Sequence, residues 1–409
     1  QQISGFNISI PQQITVSIPT LKNSKVSLKG DLNISGTTAK PTITGMLNIP
    51  NLNVPTFELS GKNITINATK NLIDIYCNQI NVADSIMNIV LTMNSNFNKG
   101  IYIKSMEFNA QNINVDTFSK MLANMPQNTI APGTNTGVTI ANGKAKVERL
   151  QSGTIVATNL TSDFNMFNNI FNLNNINGIA YGGKIAGNVK YNVLYSSSNI
   201  SMQGRNLSAV SAMYAATGIP NLMSGNLDFD ALHITTRGLT EKQIMQSLKG
   251  NVNFLVSNGQ MGTLGKLENL LYAQNILTNN ILKTTMGAVV GAVKVKKTGD
   301  FKYIKGKVTL ANGWANLNNF QTSGPAMSMY VAGKCNYLTN YATLTILGRV
   351  SDEVVDVLGP IGKFSVNSII ASIPKIGAVT SSLINQITTN PSGENISKVK
   401  LLSLTVGQI

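Results

Sequence analysis

Apolar and polar residues alternate along most of this chain. Ile14, Val16 and Ile18 are each separated by one polar residue, and Val26 and Leu28, then Leu32 and Ile34, follow the same rule. Ile101 and Ile103 continue it, as do Ile185, Val189, Tyr191 and Val193. A period of two sends successive side chains to opposite faces of a strand, so each run predicts a strand with one apolar and one polar face. Asn142-Gly143, Asn177-Gly178, Asn258-Gly259 and Asn312-Gly313 are predicted hairpin turns, because both residue types tolerate the positive φ of a type I′ turn. The pattern as a whole predicts a mostly β chain, an antiparallel meander.

A short unit recurs: Gly, any residue, then apolar, polar, apolar. It stands at Gly30–Ile34, Gly45–Ile49, Gly187–Tyr191, Gly225–Phe229, Gly250–Phe254 and Gly306–Leu310. The spacing between copies is irregular, which excludes a fixed-period solenoid and points to a long sheet extended by similar strands. Predicted helices are short. They cover Thr117–Met125, Leu207–Thr217, a segment opened by Thr240 with Gln243 completing a capping box, Leu264–Leu282, a segment opened by Ser351, and Ser368–Ile387 with Pro374 inside it. This predicts a β segment over 1–110, a helix and linker over 111–135, a β region with inserted helices over 136–350, and a helix-rich tail over 351–409.

Composition narrows the function. The 409 residues are 43% hydrophobic but only 12% charged, about half the roughly 25% of an average soluble domain. Asn, Ser, Thr and Gln supply the polarity instead, with Asn at roughly one residue in eight. The net charge of +15 raises nucleic acid as a partner, yet only Arg149, Arg205, Arg237 and Arg349 offer guanidinium forks and aromatics make up 6%. No nucleic-acid partner is expected. The densest basic stretch, Lys294, Lys296, Lys297, Lys302, Lys305 and Lys307, reads as the solvated face of a strand pair or as an attractor of anionic lipid headgroups. Cys77 and Cys335 form no CxxC; they read as two separate half-buried thiols, a bridge in an oxidising compartment being the other reading. No run of 18 apolar residues exists to span a bilayer. The start at Gln1-Gln2-Ile3 reads as that of a partial or processed chain, with any anchor or export signal lying outside it.

Catalysis finds little material. One histidine, His233, lies in a strand-like segment and reads as structural. No GxSxG elbow, HExxH or Cys/His cluster is present. Gly265-Lys266 and Gly362-Lys363 lack the earlier glycine and the following Ser/Thr of a phosphate loop. Asp228 and Asp230 share one strand face and read as solvated carboxylates; Asp352, Glu353 and Asp356 suit a helix N-terminus. The expectation is no enzyme, no metal and no cofactor. The long apolar face must still be covered, and a second sheet, helices or a bound apolar ligand would each do it.

The region from about 150 to 350 resembles the C-terminal region of the AsmA-like family of bacterial envelope proteins, which includes TamB relatives. The resemblance rests on Ala180-Tyr-Gly-Gly-Lys-Ile-Ala-Gly-Asn-Val-Lys-Tyr191, the small-residue helix Leu207–Thr217, Gly225–Phe229, and Ser247-Leu-Lys-Gly250-Asn-Val-Asn-Phe254 leading to Asn258-Gly259. Gly306–Gly313, Ser323–Gly333 and Gly348–Pro360 look like closing strands of such proteins. Residues 1–135 match only in strand character. The resemblance implies an elongated, curled antiparallel sheet with an open groove that passes phospholipid between the inner and outer membranes without chemistry. It also implies a periplasmic or cell-envelope location and an inner-membrane anchor outside this chain. Groove candidates read from the strands themselves are Ile185, Val189, Tyr191, Leu227, Phe229, Val252 and Phe254, for which plain core packing is the other reading. Two rival functions keep the β architecture: a structural or adhesive surface protein, and an assembly factor with envelope or outer-membrane proteins as partners.

Overall fold

The structure is a computed structural model and describes residues 2–17, 23–37, 40–95, 100–117, 137–217, 220–238, 240–261, 299–324, 327–339, 341–350 and 401–408. Nineteen strands dominate the described residues, all assigned to one open sheet, with short helices between them. The chain divides into two compact units, Gln1–Met202 with Thr235–Leu239, and Gln203–Ile234 with Thr240–Ile409.

The first unit is built from β1 (Gln2–Ser17), β2 (Lys25–Thr37), β3 (Lys40–Val54), β4 (Leu59–Ala68), β5 (Leu72–Val82), β6 (Ser85–Asn94), β7 (Ile101–Asn114), β8 (Val138–Ser152), β9 (Ile155–Phe167), β10 (Ile170–Ala180) and β11 (Gly183–Asn192). These pair in chain order, and every pair but one is antiparallel. The exception corrects the expected meander: β7 and β8 run parallel, from Ile101 beside Val138 to Asn114 beside Gln151. A parallel step needs a return connection of a dozen or more residues, and residues 115–137 provide it. Strand β12 (Ser197–Ser208) begins in this unit and continues in the second.

The second unit holds α1 (Ala209–Thr217), most of β13 (Asn226–Arg237), α2 (Glu241–Ser247), and β14 (Lys249–Gln260) to β19. Strands β15 (Asp300–Ala311), β16 (Trp314–Ser323), β17 (Met327–Asn336), β18 (Tyr341–Val350) and β19 (Leu401–Gln408) extend an antiparallel run from β14. Helix α1 coincides with the expected Leu207–Thr217 segment. Helix α2 carries the expected capping box, with the Thr240 side chain accepting from the Gln243 N–H and the Gln243 side chain accepting from the Thr240 N–H. The expected helices at 264–282 and 368–387, and the one opened by Ser351, lie outside the described residues, as does nearly all of 117–125. Within the expected helix-rich tail, Leu401–Gln408 is a strand paired with β18.

Of the Asn-Gly pairs, Asn312-Gly313 turns the chain between β15 and β16, with φ of 51° and 83°. The other three lie inside β8, β10 and β14. Their glycines serve a different purpose. The ring of Phe164 covers Gly143, the Leu160 side chain covers Gly178, and the Phe301 ring and the Ser224 carbonyl press on Gly259. A side chain there would collide with a neighbouring strand, so the glycine is a packing requirement and not a bend. The recurrent Gly-x-apolar unit has a related cause. At Gly30 (φ 144°) and Gly45 (φ 124°), on adjacent strands, an added Cβ would meet the carbonyl oxygens of Met46 and Asp31.

Asparagine does more than supply polarity. Among the described residues, eleven of the 16 non-glycine residues with positive φ are Asn, whose short polar side chain tolerates that region. Asn175 (φ 53°) lies where the register of β10 slips against both β9 and β11, and Asn319 (φ 53°) where β16 slips against both neighbours. These are bulges, each inserting one residue so that long strands twist without losing their faces.

Candidate functional site

The register sets the apolar side chains of the first unit in rows that cross all of its strands. One row runs Ile10, Gly30, Leu47, Ile66, Ile75 and Leu91 on β1 to β6, each directly opposite the next. It continues through Met106, Gly143, Phe164 and Leu173 to Val189 on β11. A second starts at Ile8 and Leu32, passes Ala68, Ile73 and Met93, and ends at Phe171 and Tyr191. A third joins Val16, Val26 and Leu52 to Met87, Ala110 and Val147 by way of Gly61 and Ile80. At about 4.8 Å per strand, the ten steps of the first row span roughly 48 Å.

Packing within this face is lateral. Met87, Ala110 and Val147 form a buried cluster, with Ile80, Ile89, Phe108 and Leu160 half-buried around it. Phe164, 6% exposed, stands 5.6 Å from Phe171 ring to ring. Within the described residues of the unit, each strand makes extended contact only with its hydrogen-bonded neighbours. Side chains here are shielded by others on the same face. Cys77, opposite Ile64 and Ile89, belongs to this face; it is a free thiol, and burial pushes its pKa above the ordinary value.

The opposite face is polar and bonded to itself. Thr65 donates to Asn48 at 3.1 Å, Thr92 to Asp74 at 2.6 Å, and Asn172 to Asn165 at 2.7 Å, each bond joining neighbouring strands. Glu107, Lys144 and Asp163 lie opposite one another on β7, β8 and β9, so charges alternate in sign around a shallow hollow that Lys146, Asn175 and Asn177 also line. Asn175 donates to Asp163 at 3.0 Å.

Of the sequence candidates, Val189 and Tyr191 terminate two of the rows, and Ile185 lies on the same face of β11, opposite Gly178. All three are half-buried. In the second unit Val252 begins a shorter row through Val308 and Leu317 to Gly333. Phe254 lies opposite Gly306, and that glycine leaves the space in which the Phe254 ring stands 5.8 Å from Phe320. Phe229 covers Gly204, and Leu227 is its half-buried neighbour on the same face of β13. The sequence reading missed the larger set on β2 to β9. Its signal was present in runs such as Ile73, Ile75 and Cys77, but which residues align across strands depends on register.

The polar candidates have structural partners. Asp228 accepts from the Asn206 N–H at 2.6 Å, and Asp230 pairs with Arg205 at 2.6 Å, locking Asn206 in its positive φ of 58°. His233 (φ 53°) is exposed beside Gly250 on the adjacent strand. Lys305 and Lys307 occupy the exposed face of β15, opposite in direction to Ile304 and Val308. Cys335, like Cys77, is a free thiol with its pKa raised by burial. Among the described residues no group of three or more His, Cys, Asp or Glu could hold a metal ion, and no helix is long and apolar enough to cross a membrane.

Among the described residues, rows of apolar side chains on one face and hydrogen-bonded polar side chains on the other mark a mostly β protein built on a long, unclosed sheet. The family model of the AsmA family matches residues 15–320, and the chain belongs to the AsmA family. Proteins of that family are associated with the bacterial envelope. The match begins far upstream of the motifs near 150 that carried the resemblance, and it takes in strands β2 to β7 whole. It stops before the Ser323–Gly333 and Gly348–Pro360 segments. No curated protein and no solved structure matches the chain.

Proposed function

We propose that this protein binds the acyl chains of phospholipids on its apolar sheet face and passes them along that face, between the inner and outer membranes, without chemistry. The observation that carries this reading is the set of in-register apolar rows, which no other described element of the first unit overlies. An apolar face of that extent in water is unfavourable by roughly 25 cal/mol for each Å² left exposed, so an occupant stabilises it. Acyl chains fit because the rows offer no polar partner and no enclosed end. A sheet that curls toward its apolar side would turn the face into a groove, with Ile185, Val189 and Tyr191 among its lining in the first unit; Leu227, Phe229, Val252 and Phe254 would take the same part in the second. In this reading the chain is periplasmic and held at the inner membrane by a segment outside it.

Native mass spectrometry with lipid extraction tests the reading. The purified protein is expected to carry phospholipid. The half-buried positions Leu91 and Leu173, changed together to Glu, are expected to abolish that load while circular dichroism stays β-rich. A folded, delipidated protein that takes up no added phospholipid would overturn the proposal and favour a structural sheet.

A further inference from the structure

The two rims of the first unit, where its strands turn, differ in chemistry. One rim holds the connections 69–71, 168–169 and 193–196 and the start of β7; the register places them together, since Leu72 pairs with Asn94, Met93 with Ile103, Ile140 with Met166, and Ile170 with both Phe167 and Asn192. Large apolar side chains stand out from it: Phe167 is 62% exposed, Tyr195 60% and Tyr102 41%. Two devices hold them there. Asn168 and Asn169, both at positive φ, make the tight turn after Phe167. The Asn192 side-chain oxygen accepts from the N–H groups of Leu194 and Tyr195 at 3.0 and 3.2 Å, fixing the turn that presents Tyr195. No acidic residue lies in these connections, and Lys70, Lys104 and Lys190 are exposed in or beside them; Asp74, as close to the rim as Lys190, is half-buried and accepts from Thr92.

The other rim carries Glu58 and Asp84 in its turns and Asp116 just beyond β7, which offset its exposed Lys25 and Lys184, and its exposed large apolar residues, among them Val16, Ile86, Ile155 and Ile179, are aliphatic. Exposed aromatic side chains with exposed basic neighbours and few carboxylates are what the headgroup region of an anionic bilayer accommodates: the rings enter the interface and the ammonium groups meet phosphates. We infer that the rim bearing Tyr102, Phe167 and Tyr195 docks on the surface of an anionic phospholipid bilayer. The inference deepens the reading above by naming the part of the molecule that meets a membrane, and it rests on that reading for the membrane as partner; surface docking and acyl-chain loading are nonetheless separate measurements.

The test is flotation of the full chain with vesicles of phosphatidylethanolamine and phosphatidylglycerol, and with vesicles of phosphatidylcholine alone. Binding to the anionic vesicles is expected to exceed binding to phosphatidylcholine and to weaken as salt rises. Phe167→Ser with Tyr195→Ser is expected to lower partitioning about tenfold, and Lys70→Glu with Lys104→Glu and Lys190→Glu by at least as much. Ile155→Ser with Ile179→Ser, on the other rim, is expected to change nothing. Undiminished flotation of both variants of the aromatic rim, or equal binding to phosphatidylcholine, would overturn the inference. Lipid extracted from the same preparations separates the two ideas. The aromatic-rim variants keep their bound lipid if the acyl-chain reading holds, and the Leu91 and Leu173 double variant loses lipid while still floating.

Discussion

The two faces of the first unit share one backbone and meet water differently. On the polar face, Thr65–Asn48, Thr92–Asp74 and Asn172–Asn165 bonds run from strand to strand, so polar side chains satisfy one another with fewer charges than an average surface carries. On the apolar face, Phe164 and Met87 pack against side chains beside them. The difference teaches where abundant Asn and Thr belong in a sheet of low charge: they bond to one another across strands on one side, while the apolar residues gather in rows on the other.

Adjacent residues on β9 make the comparison measurable. Phe164→Ala is expected to cost about 3–4 kcal/mol in urea unfolding of the delipidated protein. Asn165→Ala, which removes only the acceptor of the Asn172 bond, is expected to cost about 1 kcal/mol. Equal costs would break the distinction between the faces. Gly143→Val sharpens it. The new side chain would enter the space under the Phe164 ring, so a loss of about 1–3 kcal/mol is expected, with a change in near-ultraviolet dichroism as the ring is displaced.

Thr65→Val leaves the shape of the polar face and removes one of its bonds, for an expected loss of about 0.5–1 kcal/mol by the same unfolding assay. The smallest effect concerns pH. Burial holds the Cys77 thiol neutral and raises its pKa above the ordinary 9.0. Its contribution is therefore complete below pH 9 and is lost as pH rises through the folded-state value. Melting temperatures from pH 8 to 10.5 are expected to fall more for the native chain than for Cys77→Ala, and parallel curves would show that the thiol does not ionise on unfolding.

The alternation at Ile14–Ile18, Val26–Ile34 and Ile185–Val193 made the strands and their two characters legible, and Thr240 with Gln243 marked a helix start. Asn142-Gly143 and Asn312-Gly313 were indistinguishable in sequence, because what separates them is the Phe164 ring arriving from another strand. The bulges at Asn175 and Asn319 were hidden for a similar reason: a slip is a relation between strands. The same holds for the candidate face. Val189 and Tyr191 could be picked from their own strand, but their alignment with Leu173, Phe164 and Phe171 depends on registers accumulated over the sheet.

The parallel step between β7 and β8 has a consequence for how the first unit forms. Every other neighbouring pair there is joined by a short connection and can zip locally, which is fast because little chain entropy is lost at each addition. Joining β8 to β7 instead closes a loop over residues 115–137 and also requires the chain to travel the length of the strand before pairing begins. Assembly of this unit is therefore expected to proceed as two hairpin stacks, β1–β7 and β8–β11, each able to grow from its own nucleus, with their union at the parallel seam as the slow step.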